Sequence, residues 1–310
     1  PKKLYTASNH LHASTNQGES WELLSPDLTR NDPEKQKSSG GPITQDNTSV
    51  EYYCTIFAAA ESPLKEGLLW TGSDDGLIHV SKDGGENWSN VTPKGMPEWM
   101  MINSIEPSVF DPGTCYVAGT KYKTGDFSPY LYKTTDYGAT WEKITKGINK
   151  EHFTRVVRED PNQKGLLYAG TETGMYVSFN DGDSWQQFQL NLPIVPITDI
   201  TIKDGNLIVA TQGRSLWIID DLSVLYQLKQ AKSSATYLFT PKDTYRMGGG
   251  SRSGSLTEGA NHPNGVMTYF NLADSEEKKV TLSYLSMAND TIKKFSTRPD
   301  KTKNIDALSV

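Results

Sequence analysis

Three carboxylates that follow short apolar runs are the residues best suited to catalysis in this chain of 310 residues. Asp74 and Asp75 stand in an Asp-Asp-Gly sequence, and Glu172 stands in a Glu-Thr-Gly sequence. Cleavage of a glycosidic bond needs two carboxyl groups that face each other across a cleft. Asp74 or Asp75 with Glu172 is the pair that we assign to this chemistry, if the protein is an enzyme. Both sequences are also common as tight hairpin turns, so a structural role stays open.

A second group of residues has the aromatic and polar character of a ligand-binding surface. The candidates are Arg30, Trp99, Tyr122, Asp126, His152, Gln212 and Arg214. Structural alternatives stay open here too, because Arg214 could pair with Asp220 or Asp221, and Trp99 could cover the core. Whether these residues meet depends on the elements that carry them.

Those elements are marked by an eight-residue motif, Ser/Thr-x-Asp/Asn-x-Gly-x-x-Trp, at residues 14–21, 81–88, 134–141 and 178–185. The Asp or Asn side chain can accept a hydrogen bond from the backbone N–H two residues on. The glycine can adopt a positive φ, and the tryptophan can lie over the hairpin. The motif therefore predicts a structural turn. Its defining residues are Asn16, Gly18, Trp21, Asp83, Gly85, Trp88, Asp136, Gly138, Trp141, Asn180, Gly182 and Trp185.

A longer repeat surrounds each motif, and it consists of a turn containing proline, a glycine and a short apolar strand. This pattern predicts an all-β fold of about five β-propeller blades, each with strands A to D, of which the first blade lacks strand A. Strands of blade five are expected at 198–202, 206–211, 215–219 and 224–228. An open stack would expose sheet edges, so we expect part of a larger propeller, completed by further sequence or a partner chain. A closed ring of five blades is the alternative.

The predicted domains are propeller blades over residues 1–228, a linker over 229–265 that packs on the propeller and has a Gly/Ser-rich loop, and a partial β-sandwich with a tail over 266–310. Strands of the sandwich are expected at 266–270, 280–285 and 291–295, and 300–310 is expected to be the tail. Within the blades, the A–B and C–D turns share one face with the eight-residue motifs. The B–C and D–A loops share the other face, which gathers the candidate site residues. One of these loops, at 25–46, is too long for a mere connection and favours function or an interface.

Composition excludes several classes of function. The net charge of −6 argues against nucleic acid as a partner, and no apolar run reaches membrane-spanning length. Five scattered histidines predict no metal site, and no cofactor is expected. Cys54 and Cys115 are predicted to be buried free thiols, with a single disulfide as the alternative. Pro1 is not a natural start, so the N-terminus is expected to be processed or truncated.

Several stretches resemble one protein family, namely residues 25–32, 40–44, 70–76, 91–98, 129–138, 157–161, 165–174 and 210–221. They are similar to secreted bacterial sortilin-like BNR-repeat proteins, in which the eight-residue motif is called the Asp-box and which are often labelled glycosyl hydrolases. The resemblance implies a sortilin- and family-74-like propeller that is secreted, periplasmic or on the cell surface. The family commonly has His where this chain has Gln212, so an acid–base step that used this His would be missing.

Three functions are compatible with these patterns. The leading hypothesis is a binding module, without catalysis, for a protein, peptide or carbohydrate on the face of the B–C and D–A loops. The rival is a glycoside hydrolase of the family-74 or sialidase-like kind that uses Asp74 or Asp75 and Glu172. The third is a subunit of a cell-surface or secretion assembly.

Overall fold

The computed structural model describes residues 3–41, 52–232, 236–245, 265–272 and 279–308. The chain divides into two compact units, Pro1–Asp220 and Asp221–Val310. Within its described residues, the first unit contains five antiparallel sheets, in each of which consecutive strands are neighbours. These sheets are the blades that the repeat predicts, and the all-β fold class is confirmed.

The strands of the blades follow the predicted order. Blade one has β1 (Leu4–Ala7), β2 (Leu11–Ser14) and β3 (Glu22–Leu23); blade two has β4 (Ile56–Glu61), β5 (Leu69–Ser73), β6 (Ile78–Ser81) and β7 (Ser89–Asn90). Blade three has β8 (Met101–Pro107), β9 (Cys115–Lys121), β10 (Asp126–Thr134) and β11 (Glu142–Lys143), with a 3-10 turn at Tyr122–Thr124. Blade four has β12 (Thr154–Glu159), β13 (Leu167–Thr171), β14 (Gly174–Ser178) and β15 (Gln186–Gln187); blade five has β16 (Ile197–Lys203), β17 (Asn206–Thr211) and β18 (Leu216–Ile219).

The fourth strand expected in blade five is wrong, because residues 224–228 lie in the helix α1 (Ser223–Lys232). Asp221 Oδ1 accepts the Ser223 N–H at 2.8 Å and caps the first turn. Val224, Leu228 and Ala231 recur at helical spacing, and lysines in the last turn complement the helix dipole.

The rest of the second unit agrees with expectation only in part. The strand β19 (Thr236–Leu238) pairs with β20 (Phe270–Leu272), so most of 266–270 is not strand. The strands β21 (Thr281–Leu285) and β22 (Thr291–Ser296) agree with the prediction, but β23 (Ile305–Ala307) lies in the supposed tail and pairs with β22 in parallel. The Gly/Ser-rich loop lies outside the described residues. The predicted division into three domains stays a prediction.

The hydrophobic core lies between adjacent blades. Trp70 and Val80 of blade two pack with Ile105 and Val117 of blade three, and equivalent clusters join blades one and two and blades three and four. Strand A of each of blades two to four lies beside strand A of the next blade. Both cysteines are buried and free, which confirms that prediction.

The Asp-boxes form the predicted turns, but the side chain of the Asp or Asn binds a backbone N–H farther along the chain than expected. In the second box, Asp83 Oδ1 accepts the N–H of Asn87 at 2.9 Å, four residues on rather than two. Ser81 Oγ donates to Asp83 Oδ1 at 2.8 Å and accepts the Gly85 N–H at 2.9 Å. The same two bonds to backbone recur in the other three boxes, where Asn16, Asp136 and Asn180 replace Asp83. Asparagine therefore serves as well as aspartate, because one side-chain oxygen is enough.

The box tryptophans reach beyond their own hairpin to the preceding blade. The indole N–H of Trp88 donates to the Leu24 carbonyl at 3.0 Å. Trp141 and Trp185 make the equivalent bonds to Val91 and Ile144, both at 2.7 Å. Trp21, in the first blade of the chain, is 43% exposed.

The Asp-boxes and the A–B turns share one face, as predicted. The Gly84 N–H donates to the Gly67 carbonyl at 2.9 Å, and boxes three and four make the same bond to Gly113 and Gly165. The B–C and D–A loops, which carry the candidate site residues, therefore lie at the opposite ends of the strands.

Replacement of Gly85 by alanine is expected to destabilise the protein far more than the same change at Gly84. Gly85 has φ +101°, and an added Cβ would lie 2.7 Å from the Leu24 carbonyl oxygen that Trp88 binds. Gly84 has φ +78°, but nothing lies within 4 Å of an added Cβ. We expect Gly85→Ala to lower the free energy of unfolding by about 2–5 kcal/mol and Gly84→Ala by about 1–2 kcal/mol.

Urea unfolding followed by tryptophan fluorescence would measure both changes. Equal losses for the two variants would contradict the close approach of the box to the preceding blade.

Candidate functional site

The long loop after β3 lies across the B–C turn of blade two, where Asp75 holds it. The Asp75 carboxylate is fully buried. It accepts the Arg30 N–H at 2.7 Å and the Ser73 hydroxyl at 2.5 Å, and the Arg30 Nε donates to the Asp75 carbonyl at 2.9 Å. Asp75 thus positions the loop, and its catalytic assignment stays a prediction.

Arg30 brings the loop against Trp99, which lies in the D–A loop after blade two. The guanidinium carbon of Arg30 lies 4.8 Å from the Trp99 ring centroid, and the Lys35 ammonium lies 5.4 Å from it. Tyr53 stacks on Trp99 with centroids 6.1 Å apart and planes 28° from parallel. Trp99 has φ +59°, a left-handed conformation that is uncommon for a bulky residue. The structure therefore joins Arg30 and Trp99, two of the predicted ligand-binding residues.

A cavity of about 370 Å³ opens beside this aromatic pair, between blades two and three. It is lined by Lys35, Tyr53, Asp74, Trp99, Met101, Thr120, Lys121, Lys123 and Thr124. Sequence reasoning did not single out Tyr53 or the three lysines, because their common position depends on loops from three parts of the chain.

Asp74 is the carboxylate in this cavity. It is half-buried, and its two oxygens accept the Thr55 N–H at 2.9 Å and the Thr55 hydroxyl at 3.2 Å. Burial raises the pKa of Asp74 above its ordinary value, and the charge of Asp75 adds to the rise against the opposing effect of the Thr55 N–H. Adjacent carboxylates therefore have different environments, one accessible from the cavity and one enclosed.

Glu172 belongs to a different cluster and does not line the cavity of Asp74. Its Oε2 lies 2.6 Å from Arg155 Nη2. Arg155 in turn lies over Tyr122 and Phe153, which stack with centroids 4.9 Å apart and planes 11° from parallel. Tyr122 is thus part of an aromatic cluster in blades three and four. The pairing of Glu172 with Asp74 or Asp75 in catalysis stays a prediction.

The remaining predicted residues are dispersed. Asp126 accepts a hydrogen bond from the Tyr130 hydroxyl at 2.6 Å. Burial raises the pKa of Asp126, but the hydrogen bonds from Tyr130 and Ser128 outweigh burial, and the pKa lies below its ordinary value. His152 Nδ1 lies 2.8 Å from the Tyr176 hydroxyl. Gln212 and Arg214 are exposed at the turn between β17 and β18.

A charged network joins the A strands of blades three to five. Arg158 on β12 lies 3.5 Å from Glu106 on β8 and 2.7 Å from Asp199 on β16, and it donates to Ser104 at 2.7 Å. Burial raises the pKa of Glu106 to about 7, against the opposing charge of Arg158. One guanidinium therefore ties three blades together.

Metal and membrane features are not found in the described part of the chain. Residues 3–41, 52–232, 236–245, 265–272 and 279–308 contain no cluster of three His, Cys, Asp or Glu side chains that could hold a metal ion. No helix within the same ranges is long and apolar enough to cross a membrane.

Known proteins resemble the chain over part of their length, although no protein-family model matches it. An oligoxyloglucan-reducing end-specific xyloglucanase of Emericella nidulans is 25% identical over 113 residues, which are 34% of this chain and 13% of that protein. The xyloglucanase Xgh74A of Acetivibrio thermocellus is 26% identical over 166 residues, 46% of this chain and 20% of that protein. The crystal structure of the GH74 xyloglucanase from Xanthomonas campestris has a TM-score of 0.52 at 16% identity, and the match covers 71% of this chain and 34% of that one.

The fold and these likenesses define an all-β protein made of BNR-like β-propeller blades. They do not point to the sortilins in particular. The chain spans 13% and 20% of the two curated relatives, so it corresponds to a small part of their length. A binding module and a glycoside hydrolase are both compatible with the relatives.

Replacement of Asp75 by alanine is expected to release the loop that carries Arg30. The Arg30 N–H would lose its carboxylate partner, at a cost of about 1–3 kcal/mol for an unsatisfied group. The Ser73 hydroxyl would keep only its longer bond to the Leu77 carbonyl at 3.3 Å. Hydrogen exchange followed by mass spectrometry should show faster exchange in the peptide that contains Arg30. Asp74→Ala is the control, and exchange of this peptide that is equally fast in both variants would contradict the role of Asp75.

Glu106 is expected to give the protein a stability that falls as the pH rises. The folded state holds the Glu106 proton more tightly than the unfolded state, because the pKa is about 7 instead of 4.5. Between pH 5 and pH 8, the free energy of unfolding should therefore fall by about 2–3 kcal/mol more in the wild type than in Glu106→Gln.

Urea unfolding at several pH values would test this difference. The control is Glu98→Gln, whose side chain is 76% exposed and which should retain the wild-type dependence. Parallel pH profiles for the wild type and Glu106→Gln would refute the assignment.

Proposed function

We propose that this chain contributes a glycan-binding surface to an extracellular β-propeller protein, with the ligand in the cavity between blades two and three. The observation that supports it best is the open cavity of about 370 Å³, which has the stacked pair Tyr53 and Trp99 in its wall. Aromatic faces match the apolar faces of sugar rings, and a few polar groups fix the orientation of a ligand. Asp74, Thr120 and Thr124 supply such groups to sugar hydroxyls.

The relatives support carbohydrate over other ligands. The two curated relatives described above are named as xyloglucanases, and we transfer to this chain the general chemistry of carbohydrate recognition. An extracellular location follows from the same proposal. A protein or peptide ligand, as in a sortilin-like protein, and a role as an assembly subunit are the alternatives, and the same cavity would serve the former.

Glycoside hydrolysis is the second candidate function. It is favoured by Asp74, a carboxyl group in the cavity whose pKa is raised by burial, as a general acid requires. The second carboxylate would be Glu172, which would have to leave Arg155 for this task. Turnover of xyloglucan oligosaccharides that is abolished by Asp74→Asn and by Glu172→Gln would support the enzyme.

Replacement of Trp99 by alanine is expected to weaken glycan binding about tenfold or more, because a central aromatic contact is lost. Isothermal titration calorimetry with a panel of neutral and charged oligosaccharides would measure it. Trp21→Ala is the matched control, since Trp21 is also partly exposed but belongs to an Asp-box. A protein that binds no member of the panel, or a Trp99→Ala variant with unchanged affinity, would argue against a glycan site here.

A further inference from the structure

The cavity between blades two and three is opposite in charge to the chain as a whole. The chain carries a net charge of −6. The cavity lining, in contrast, has the three cationic side chains of Lys35, Lys121 and Lys123 and one carboxylate, that of Asp74. Charges of one sign that line a concave surface raise the local concentration of ligands of the opposite sign.

The charges of these lysines are not cancelled by ion pairs. Within the residues that the structure describes, none of the three lies within 4.0 Å of a carboxylate oxygen, whereas Lys37 pairs with Glu34 and Lys133 with Asp181. Lys121 lies opposite Asp126 in the pairing of β9 with β10, which offsets part of its charge. Lys35 and Lys123 are exposed. The three ammonium groups therefore have no carboxylate within ion-pair distance in the described part of the chain, although that of Lys35 lies over the Trp99 ring.

Asp74 does little to oppose an anion in the cavity. Its two oxygens already accept hydrogen bonds from the N–H and the hydroxyl of Thr55. Burial also raises its pKa above the ordinary value of an aspartate.

We infer that the ligand of this cavity is an anionic oligosaccharide, with a sugar ring against Tyr53 and Trp99 and acidic groups between Lys35, Lys121 and Lys123. The inference rests on the proposed glycan-binding function and narrows its ligand class. A neutral glycan would gain nothing from the three ammonium groups, whereas an acidic sugar would contact both the aromatic wall and the positive charges. Carboxylates of uronic acids and sulfate esters share this chemistry.

Calorimetry with three oligosaccharides of equal length would test the inference: an oligogalacturonate, a sulfated oligosaccharide and a neutral xyloglucan fragment. At low ionic strength we expect at least one anionic ligand to bind about tenfold more tightly than the neutral one. High salt should remove most of this preference, because exposed charges are screened. The two anionic ligands show whether carboxylate or sulfate is the preferred group.

A double variant, Lys121→Ala with Lys123→Ala, makes the test specific to the cavity. Each lost ion pair at an exposed site should weaken anion binding about two- to fivefold, and the affinity for the neutral ligand should not change. The matched control is Lys65→Ala with Lys164→Ala, which removes two exposed lysines from the A–B turns on the Asp-box face.

The outcomes separate this inference from the proposed function. Preference for an anionic ligand that the Lys121/Lys123 variant loses and the control variant retains supports it. Binding of the neutral ligand equally or more tightly, with no effect of the lysines, overturns the anionic ligand but leaves glycan binding intact. Absence of binding to all three ligands overturns both.

Discussion

The hydrogen bond between a box tryptophan and the preceding blade is the interaction on which the rest of the first unit depends. In the second box, the bonds between Ser81, Asp83 and the backbone fix the turn, so the indole of Trp88 arrives at the Leu24 carbonyl. The glycine allows the turn to approach that carbonyl closely. Because blades two to four are each tied at this face, the opposite ends of their strands hold the loops of the candidate site in fixed relative positions.

Local patterns in the sequence predict the blades well, because the Asp-box spacing and the alternating strands depend on residues close in the chain. The partners of the tryptophans could not be predicted, since Trp88 and Leu24 are separated by 64 positions. Residues 224–228 form part of the helix α1 rather than the predicted strand, because a short apolar run is compatible with both the helical and the strand periodicity. The local signal for the helix is Asp221, which caps its first turn. The role of Asp75 could not be predicted for the same reason. Its partner Arg30 lies 45 positions earlier, and the Asp-Asp-Gly sequence contains no information about that contact.

The candidate site illustrates how one residue step changes the environment of a side chain. Asp75 is enclosed with Ser73 and Arg30, whereas Asp74 lies at the cavity beside Trp99. The Asp-Asp-Gly sequence does not distinguish Asp74 from Asp75. Their environments differ because the loop that carries Arg30 covers Asp75. The lysines of the cavity come from that loop, from the end of β9 and from the 3-10 turn that follows it, so their common position depends on the folding of the blades.

The tryptophan bonds also have a direction along the chain. In the three bonds from Trp88, Trp141 and Trp185, the donor follows its acceptor in sequence. During translation, each acceptor residue therefore leaves the ribosome before the indole that binds it, and a new blade meets a neighbour that has already been synthesised. The order of these contacts suits vectorial assembly, in which blades dock one by one from the N-terminal side without waiting for later sequence.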